Sequence, residues 1–172
     1  RSVKSNTFTT DDNQDRGPSG DGAAIAFESV HFRYQQQPSR AVLQNITMHI
    51  ETGTYVAFVG PSGCGKSTII SLLQRFYDPT SGGIIFNGDD IAQMSPTLYR
   101  KSMSLVQQEP LLYTGSVWDN ICIGLDREPS EKEVEEACRQ ANALDFIISL
   151  PEGLQTPCGS RGLQFSGGQR QR

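Results

Sequence analysis

One eight-residue segment constrains the fold of this chain more than any other feature. It follows a continuous apolar run over residues 54–59, precedes a stretch with helical spacing over 67–76, and reads Gly60-Pro61-Ser62-Gly63-Cys64-Gly65-Lys66-Ser67. The pattern G-x-x-x-x-G-K-[ST] is typical of a phosphate-binding loop, in which glycines let successive backbone N–H groups point at phosphate oxygens from the start of a helix. In such a loop Lys66 reaches the β- and γ-phosphates and the Ser67 hydroxyl binds Mg²⁺. The flanking patterns make a chance glycine-rich turn the poorer interpretation.

The composition is that of about one ordinary soluble domain. The 172 residues are 36% hydrophobic and 20% charged, with a net charge of -4. A negative net charge argues against a general nucleic-acid binder, which carries a basic face. No run approaches the roughly 20 apolar residues of a membrane-spanning helix. We therefore predict no nucleic-acid partner and no transmembrane segment in this chain.

The cysteines predict free thiols rather than a disulfide framework or a metal site. No CxxC pair occurs, and no cysteine has metal-ligand spacing with His31 or His49; the four are Cys64, Cys122, Cys138 and Cys158. This favours a cytosolic location. Cys64 lies inside the phosphate loop, and two interpretations stay open: a reactive thiol whose alkylation blocks nucleotide binding, or a buried and inert one.

The chain divides by composition into a polar segment and one domain. Residues 1–22 predict a polar linker, because they bury too little apolar surface to offset the entropy of ordering. Residues 23–172 predict the domain, with strands and the phosphate loop over 23–108 and mostly helices over 109–172.

Short-range patterns place the individual elements. Alternating apolar residues or short apolar runs predict strands over 25–34, 46–50, 54–59, 84–86 and 103–106, of which 54–59 is expected to be covered on both faces. Asn87-Gly88 predicts a hairpin turn, and Ser95-Pro96 predicts a helix start. Ser130 with Glu133 forms a capping box. Helices are predicted over 67–76, 130–141 and 144–150, followed by a loop over 152–165.

The last residues of the chain carry a second glycine-rich motif. Phe165-Ser166-Gly167-Gly168-Gln169, followed by Arg170-Gln171-Arg172, resembles the LSGGQ-x-QR signature of ATP-binding-cassette (ABC) ATPases. Phe165 stands where the family has Leu, in a position that we expect to pack. Ser166 and the two glycines offer a hydroxyl and N–H groups at a helix start, which makes a second anion site.

Two further stretches resemble the same family. Residues 27–34 resemble the strand whose final aromatic residue stacks on adenine, which assigns that role to Tyr34; an ordinary half-buried strand residue is the alternative. Residues 106–110 resemble the Q-loop, where Gln108 contacts Mg²⁺ or the attacking water and senses the transport domain. Gln107 competes for this role, and a solvated loop amide is the third possibility.

Within the family, the second half of the chain resembles multidrug-type exporters. Residues 111–113, 120–124, 145–147 and 150–153 follow the exporter pattern of the helical subdomain. The exporter segment T-x-V-G-E-x-G reads Thr156-Pro157-Cys158-Gly159-Ser160-Arg161-Gly162, so the carboxylate that usually contacts the coupling helix of the membrane domain is replaced by Ser160. This variant, together with Leu112-Tyr113, resembles the second nucleotide-binding domain of fungal multidrug exporters.

The resemblance implies an α/β P-loop NTPase of the ABC type, with an antiparallel β subdomain, a helical subdomain and an incomplete RecA-like core. It implies that Tyr34 and the loop from Gly60 to Thr68 hold ATP with Mg²⁺, with Lys66 and Gln108 as catalytic residues and Ser67 and Gln108 at the metal. The signature, Ser166 to Gln169, would reach the γ-phosphate of a second nucleotide-binding domain in a head-to-tail dimer. ATP turnover would drive export through a transmembrane domain, which would hold this chain on the cytosolic face of a membrane.

The catalytic carboxylates of the family lie beyond Arg172, in the Walker B strand. We therefore expect the 172-residue chain alone not to hydrolyse ATP. Asp89 and Asp90 are the obvious substitutes, but after a hairpin turn we expect them in a solvated loop. Two alternative functions stay open: a soluble ABC ATPase of translation or repair, and a module that binds ATP without turning it over.

Overall fold

A computed structural model describes residues 22–159, 162 and 164–172 of the chain. It contains two compact units, the first ending at Ser104 and the second beginning at Leu105. The predicted linker lies outside the described residues except for Gly22. The strands are β1 (Ile25–Phe32), β2 (Leu43–Ile50), β3 (Ser81–Phe86) and β4 (Asp89–Asp90). The α-helices are α1 (Lys66–Leu73), α2 (Pro96–Lys101), α3 (Val117–Cys122), α4 (Glu131–Gln140), α5 (Leu144–Ile148) and α6 (Gly167–Gln171), with 3₁₀ turns at Ile91–Gln93 and Gly153–Gln155.

The first unit is built on an antiparallel sheet with the strand order β2-β1-β3-β4. Phe27 of β1 lies opposite Met48 of β2 and Ile84 of β3, and its side chain is buried. The register shifts between Phe27 and Val30, where Ser29 has a φ of 48°. This bulge turns Val30 back toward the core, which explains why the alternation in the sequence falls into two short runs.

The hairpin between β3 and β4 has the turn chemistry that the sequence predicts. Asn87 and Gly88 have φ values of 51° and 91°, and positive φ at both positions is the mark of a type I′ turn. The expectation of a loop after this turn is wrong, because Asp89 and Asp90 form the short strand β4, although Asp89 is exposed to solvent as expected. Asp90 also caps the following 3₁₀ turn, accepting a hydrogen bond from the Ala92 N–H at 2.9 Å.

Two predicted strands do not form. Residues 54–59 have no regular structure, and Tyr55 and Val59 are 106% and 92% exposed instead of covered on both faces. Residues 103–106 also form no strand, and Val106 is exposed. A strand exists only when a neighbour satisfies its backbone N–H and C=O groups. In the described part of the chain, β1 to β4 pair only among themselves. The apolar run 54–59 therefore has no strand to pair with, and its apolar character alone does not make it a strand.

The predicted helix starts are confirmed. Pro96 is the first residue of α2 after Ser95, and Ser130 with Glu133 forms the complete capping box of α4. Helix α1 is shorter than predicted, and α5 ends at Ile148, before Pro151. Helix α3 was not predicted, because six residues are too few to show the periodicity of apolar positions that indicates a helix.

Each unit has its own hydrophobic core. In the first unit α1 and α2 pack on the sheet, and the buried residues are Phe27, Val30, Phe32, Leu43, Ile69, Leu72, Ile84, Phe86, Ile91 and Tyr99. In the second unit short helices surround a smaller core of Val117, Val134, Cys138, Ala143, Ile147, Cys158 and Phe165. The first core fixes the base of the phosphate loop, and the second fixes the start of α6.

Candidate nucleotide-binding site

The phosphate loop lies between the irregular segment 54–59 and α1. Gly63 and Gly65 have φ values of 78° and 101°, in the region that favours glycine, and Gly65 is the N-cap of α1. A Cβ built on Gly65 would lie 2.7 Å from the Cδ2 of Leu43, a buried residue of β2. The second glycine of the motif therefore lets the loop turn sharply while resting on the sheet.

The start of α1 is open to an anion. The backbone N–H groups of the first helical turn have no acceptor within the helix, and they carry the positive end of its dipole. In the described part of the chain no side chain caps this end, and the first turn contains no acidic residue. The loop thus presents N–H donors and partial positive charge without an internal partner, which is the arrangement that binds phosphate.

The Lys66 ammonium adds a full positive charge at this point. Its Nζ donates to the carbonyl oxygens of Gly60 and Pro61, both at 2.8 Å, and lies 3.7 Å from the Sγ of Cys64. These contacts fold the side chain over the loop. A phosphate oxygen that replaced one carbonyl would keep the number of hydrogen bonds and turn one of them into a bond between opposite charges.

Tyr34 lies beside the loop, as the resemblance implies. It is half-buried just after β1, and its hydroxyl lies 3.0 Å from the Oγ1 of Thr68. Both residues line a cavity of about 400 Å³ formed by Tyr34, Gln37, Arg40, Val42, Ser62, Gly63, Gly65, Lys66, Ser67 and Thr68. An aromatic ring, a lysine and a helix start therefore face one space.

Sequence reasoning missed three residues of this cavity: Gln37, Arg40 and Val42. They belong to the stretch that joins β1 to β2. Arg40 gives the cavity a second cationic side chain. The only signal in the sequence was their position shortly after Tyr34, which no motif marks.

Cys64 is exposed at the tip of the loop. The interpretation as a buried, inert thiol is therefore wrong, while its reactivity stays a prediction. The other loop members, Gly60, Pro61 and Ser62, are exposed as well. Cys64 is not among the residues that line the cavity, but its Sγ lies 3.7 Å from the Lys66 Nζ, so a phosphate bound to Lys66 would lie near the thiol.

In the second unit Ser166 caps α6 through a reciprocal pair of hydrogen bonds. Its Oγ accepts from the Gln169 N–H at 3.2 Å, and the Gln169 Oε1 accepts from the Ser166 N–H at 2.9 Å. The bond from the Gln169 N–H uses a lone pair of the Ser166 hydroxyl and leaves the hydroxyl proton free to donate. A Cβ at Gly167 or Gly168 would meet nothing within 4 Å, so packing among the described residues does not require glycine there.

Two other sequence expectations concern the second unit. Phe165 is 8% exposed and meets the Phe146 ring edge-on at 6.3 Å, so the prediction that it packs is confirmed. Gln107 and Gln108 are both exposed in the loop before α3. Either amide is accessible, and the choice of Gln108 stays a prediction.

The family model described as ABC transporter matches residues 43–172 of the chain. That range includes the phosphate loop and the signature. The chain belongs to the ABC transporter family.

Fungal transporters are among the relatives of the chain within this family. The chain is 52% identical over 149 residues to the ABC multidrug transporter MDR5 of Trichophyton rubrum, covering 87% of the chain and 12% of the relative. It is 45% identical over 177 residues to the ABC multidrug transporter atrC of Emericella nidulans, covering 95% of the chain and 14% of the relative. The resemblance to fungal multidrug transporters is confirmed, and the chain spans about an eighth of the length of these relatives. Its correspondence to their second nucleotide-binding domain stays a prediction.

A solved structure shows the same fold. A bacterial Atm1-family ABC exporter with ATP bound superposes with a TM-score of 0.80 at 39% sequence identity, covering 91% of this chain and 27% of that one. The predicted fold class, an α/β P-loop NTPase of the ABC type, is confirmed.

The exporter segment before the signature differs from the ABC pattern at two positions. Cys158 replaces Val and is fully buried, with its N–H donating to the Gly115 carbonyl at 2.8 Å. It acts as a small apolar side chain, and burial raises the pKa of its thiol. Ser160, which replaces the usual Glu, lies outside the described residues.

Proposed function

We propose that this chain is the ATP-binding part of an ABC exporter, in which ATP binding and hydrolysis drive the export of substrates across a membrane. One observation carries the proposal: the first unit places an uncapped helix start, the Lys66 ammonium and the Tyr34 ring around a single cavity. The fungal multidrug transporters among the relatives support an exporter over a soluble ABC ATPase.

Different residues of the cavity suit the phosphates and the adenine of ATP. The N–H groups at the start of α1 and the Lys66 ammonium take the phosphates, and the Tyr34 ring takes the adenine. The Ser67 side chain, exposed in the first turn of α1, is a hard oxygen ligand suited to Mg²⁺. The resemblance of residues 106–110 to the Q-loop assigns a second ligand to Gln108. Bound there, Mg²⁺ would supply positive charge against the negative charge that develops on the phosphates during hydrolysis.

The cavity supplies no general base. Among its described lining residues, none is Asp or Glu. We assign activation of the attacking water to a carboxylate elsewhere in the intact transporter. The Q-loop resemblance assigns Gln108 a contact with Mg²⁺ or with that water.

The signature supports a second nucleotide-binding domain as partner. Gly167 and Gly168 are exposed, and nothing in the described residues lies close enough to exclude a side chain. An approaching γ-phosphate would need that free space, the exposed N–H groups and the spare proton of the Ser166 hydroxyl. The requirement for glycine thus comes from the partner's nucleotide.

A transmembrane domain is the second proposed partner. Among the described residues no helix combines the length and the apolar character that crossing a bilayer requires. Leu111, Tyr113, Ile123 and Leu125 are each more than half exposed around α3. We assign these exposed apolar side chains to a contact with the cytosolic face of the transmembrane domain.

Titration of the chain with Mg²⁺-ATP and with AMP tests the proposal. AMP lacks the two phosphates that α1 and Lys66 hold, so we expect it to bind at least about tenfold more weakly, from one lost charge-assisted hydrogen bond. Equal dissociation constants for ATP and AMP would contradict a phosphate-loop site.

A further inference from the structure

We propose that Thr68 is a positioning residue that ties the Tyr34 ring to the phosphate loop, so that the triphosphate end of the nucleotide orients the aromatic surface for its base. The inference rests on the proposed function, since it needs a nucleotide in the cavity. It assigns a purpose to the Tyr34 hydroxyl, which stacking on a base does not use.

The Tyr34 ring is held from three sides. Its hydroxyl lies 3.0 Å from the Thr68 Oγ1, and Thr68 is only 5% exposed. The ring meets Phe32 edge-on at 4.9 Å and Tyr77 edge-on at 5.3 Å, with interplanar angles of 83° and 90°. The two rings limit how the phenol can tilt, and the hydroxyl contact fixes its far end.

The position of Thr68 connects this contact to the phosphates. Thr68 is the third residue of α1, in the helical turn whose N–H groups face the cavity, and it lines the cavity together with Lys66. A movement of this turn toward a phosphate therefore moves the Tyr34 hydroxyl with it.

The hydrogen bond between the two hydroxyls has no fixed direction, because either oxygen can donate. A phosphate oxygen near Thr68 is an anion and only accepts, so the Thr68 proton then points to the phosphate. Tyr34 must in that state donate to Thr68. The two hydrogen bonds, from the Tyr34 hydroxyl to Thr68 and from the Thr68 hydroxyl to the phosphate, then point in the same direction. Hydrogen bonds connected in this way polarise and strengthen one another.

The test compares ATP with inorganic triphosphate, which has the phosphates but no base, by calorimetric titration in Mg²⁺. The readout is the ratio of the two dissociation constants, triphosphate over ATP, which measures the contribution of the base. We expect Tyr34→Phe, which keeps the ring, to lower this ratio about threefold to tenfold, the value of one net hydrogen bond. Thr68→Val should lower it equally, and Thr68→Ser, which restores a hydroxyl, should return it to the wild-type value.

A double variant and a control separate positioning from mere stability. Tyr34→Phe combined with Thr68→Val should lower the ratio no further than either change alone, since both remove the same bond. Tyr99→Phe is the control: its hydroxyl donates to the Leu73 carbonyl at 2.7 Å in the core of the same unit, so its loss should lower the melting temperature and leave the ratio unchanged.

The outcomes are distinguishable. A wild-type chain that binds neither ligand defeats the proposed function and this inference with it. The inference alone is overturned if the wild-type chain binds ATP more tightly than triphosphate but Tyr34→Phe leaves the ratio of the two dissociation constants unchanged. The inference is also overturned if the two single losses multiply in the double variant.

Discussion

Replacing Gly65 by Ala tests how the phosphate loop is built into the fold. The φ of 101° at this position is strained for any residue with a Cβ, which costs about 1–2 kcal/mol. The added methyl group would lie 2.7 Å from Leu43 Cδ2 and 3.4 Å from the Val42 carbonyl oxygen. Overpacking of this kind costs about a further 1–3 kcal/mol. We therefore expect Gly65→Ala to destabilise the chain by roughly 2–5 kcal/mol.

The matched control is Gly63→Ala. Gly63 lies in the same loop with a φ of 78°, but a Cβ there would meet nothing within 4 Å. It isolates the backbone strain, for which we expect a loss of about 1–2 kcal/mol. The difference between the two variants measures the contact between the loop and β2.

Thermal denaturation followed by far-ultraviolet circular dichroism, without nucleotide, measures both losses. For a unit of this size 1 kcal/mol corresponds to a shift of about 4–8 °C in the melting temperature. We expect Gly65→Ala to melt at least about 4 °C below Gly63→Ala. Equal melting temperatures would refute the account of how the loop rests on Leu43.

Two further predictions concern single side chains. Alkylation followed by mass spectrometry should label the exposed Cys64 faster than Cys138 or Cys158, because burial raises the pKa of those two thiols. Mg²⁺-ATP should slow the labelling of Cys64 alone. Equal labelling rates of Cys64 with and without nucleotide would reject protection. Hydrogen bonds from Arg127, with further ones from the Ser130 cap, lower the pKa of Glu133 from 4.5 to about 2. The charged Glu133 carboxylate therefore stabilises the fold above pH 4.5, and this contribution is lost as the pH falls toward 2. The melting temperature of Glu133→Gln should accordingly lie below that of wild type at pH 7 and converge with it in acid, and a constant difference across this range would show that the charge is not responsible.

Features encoded in adjacent residues were predictable from the sequence. The capping box of Ser130 and Glu133 and the hairpin turn at Asn87-Gly88 depend on chemistry within four residues, and the structure shows both. The same holds for Gly65, whose φ follows from the motif itself.

Features that depend on distant partners were not predictable in the same way. The apolar run 54–59 matches a buried strand, yet it forms none without a neighbouring strand to pair with among the described residues. Arg40 and the bond between Tyr34 and Thr68 enter the site only through the folding of β1 and β2 against α1. No spacing in the sequence records that approach.

The central claim is that Lys66 and the start of α1 bind the phosphates of ATP. Calorimetric titration of Mg²⁺-ATP into wild type, Lys66→Ala and Lys132→Ala tests it most directly, because both variants lose one lysine and Lys132 is an exposed residue of α4 in the second unit. We predict that Lys66→Ala weakens binding by about 1.5–3 kcal/mol, or roughly tenfold to a hundredfold, while Lys132→Ala binds as wild type does. Equal ATP affinity for Lys66→Ala and wild type would contradict the account.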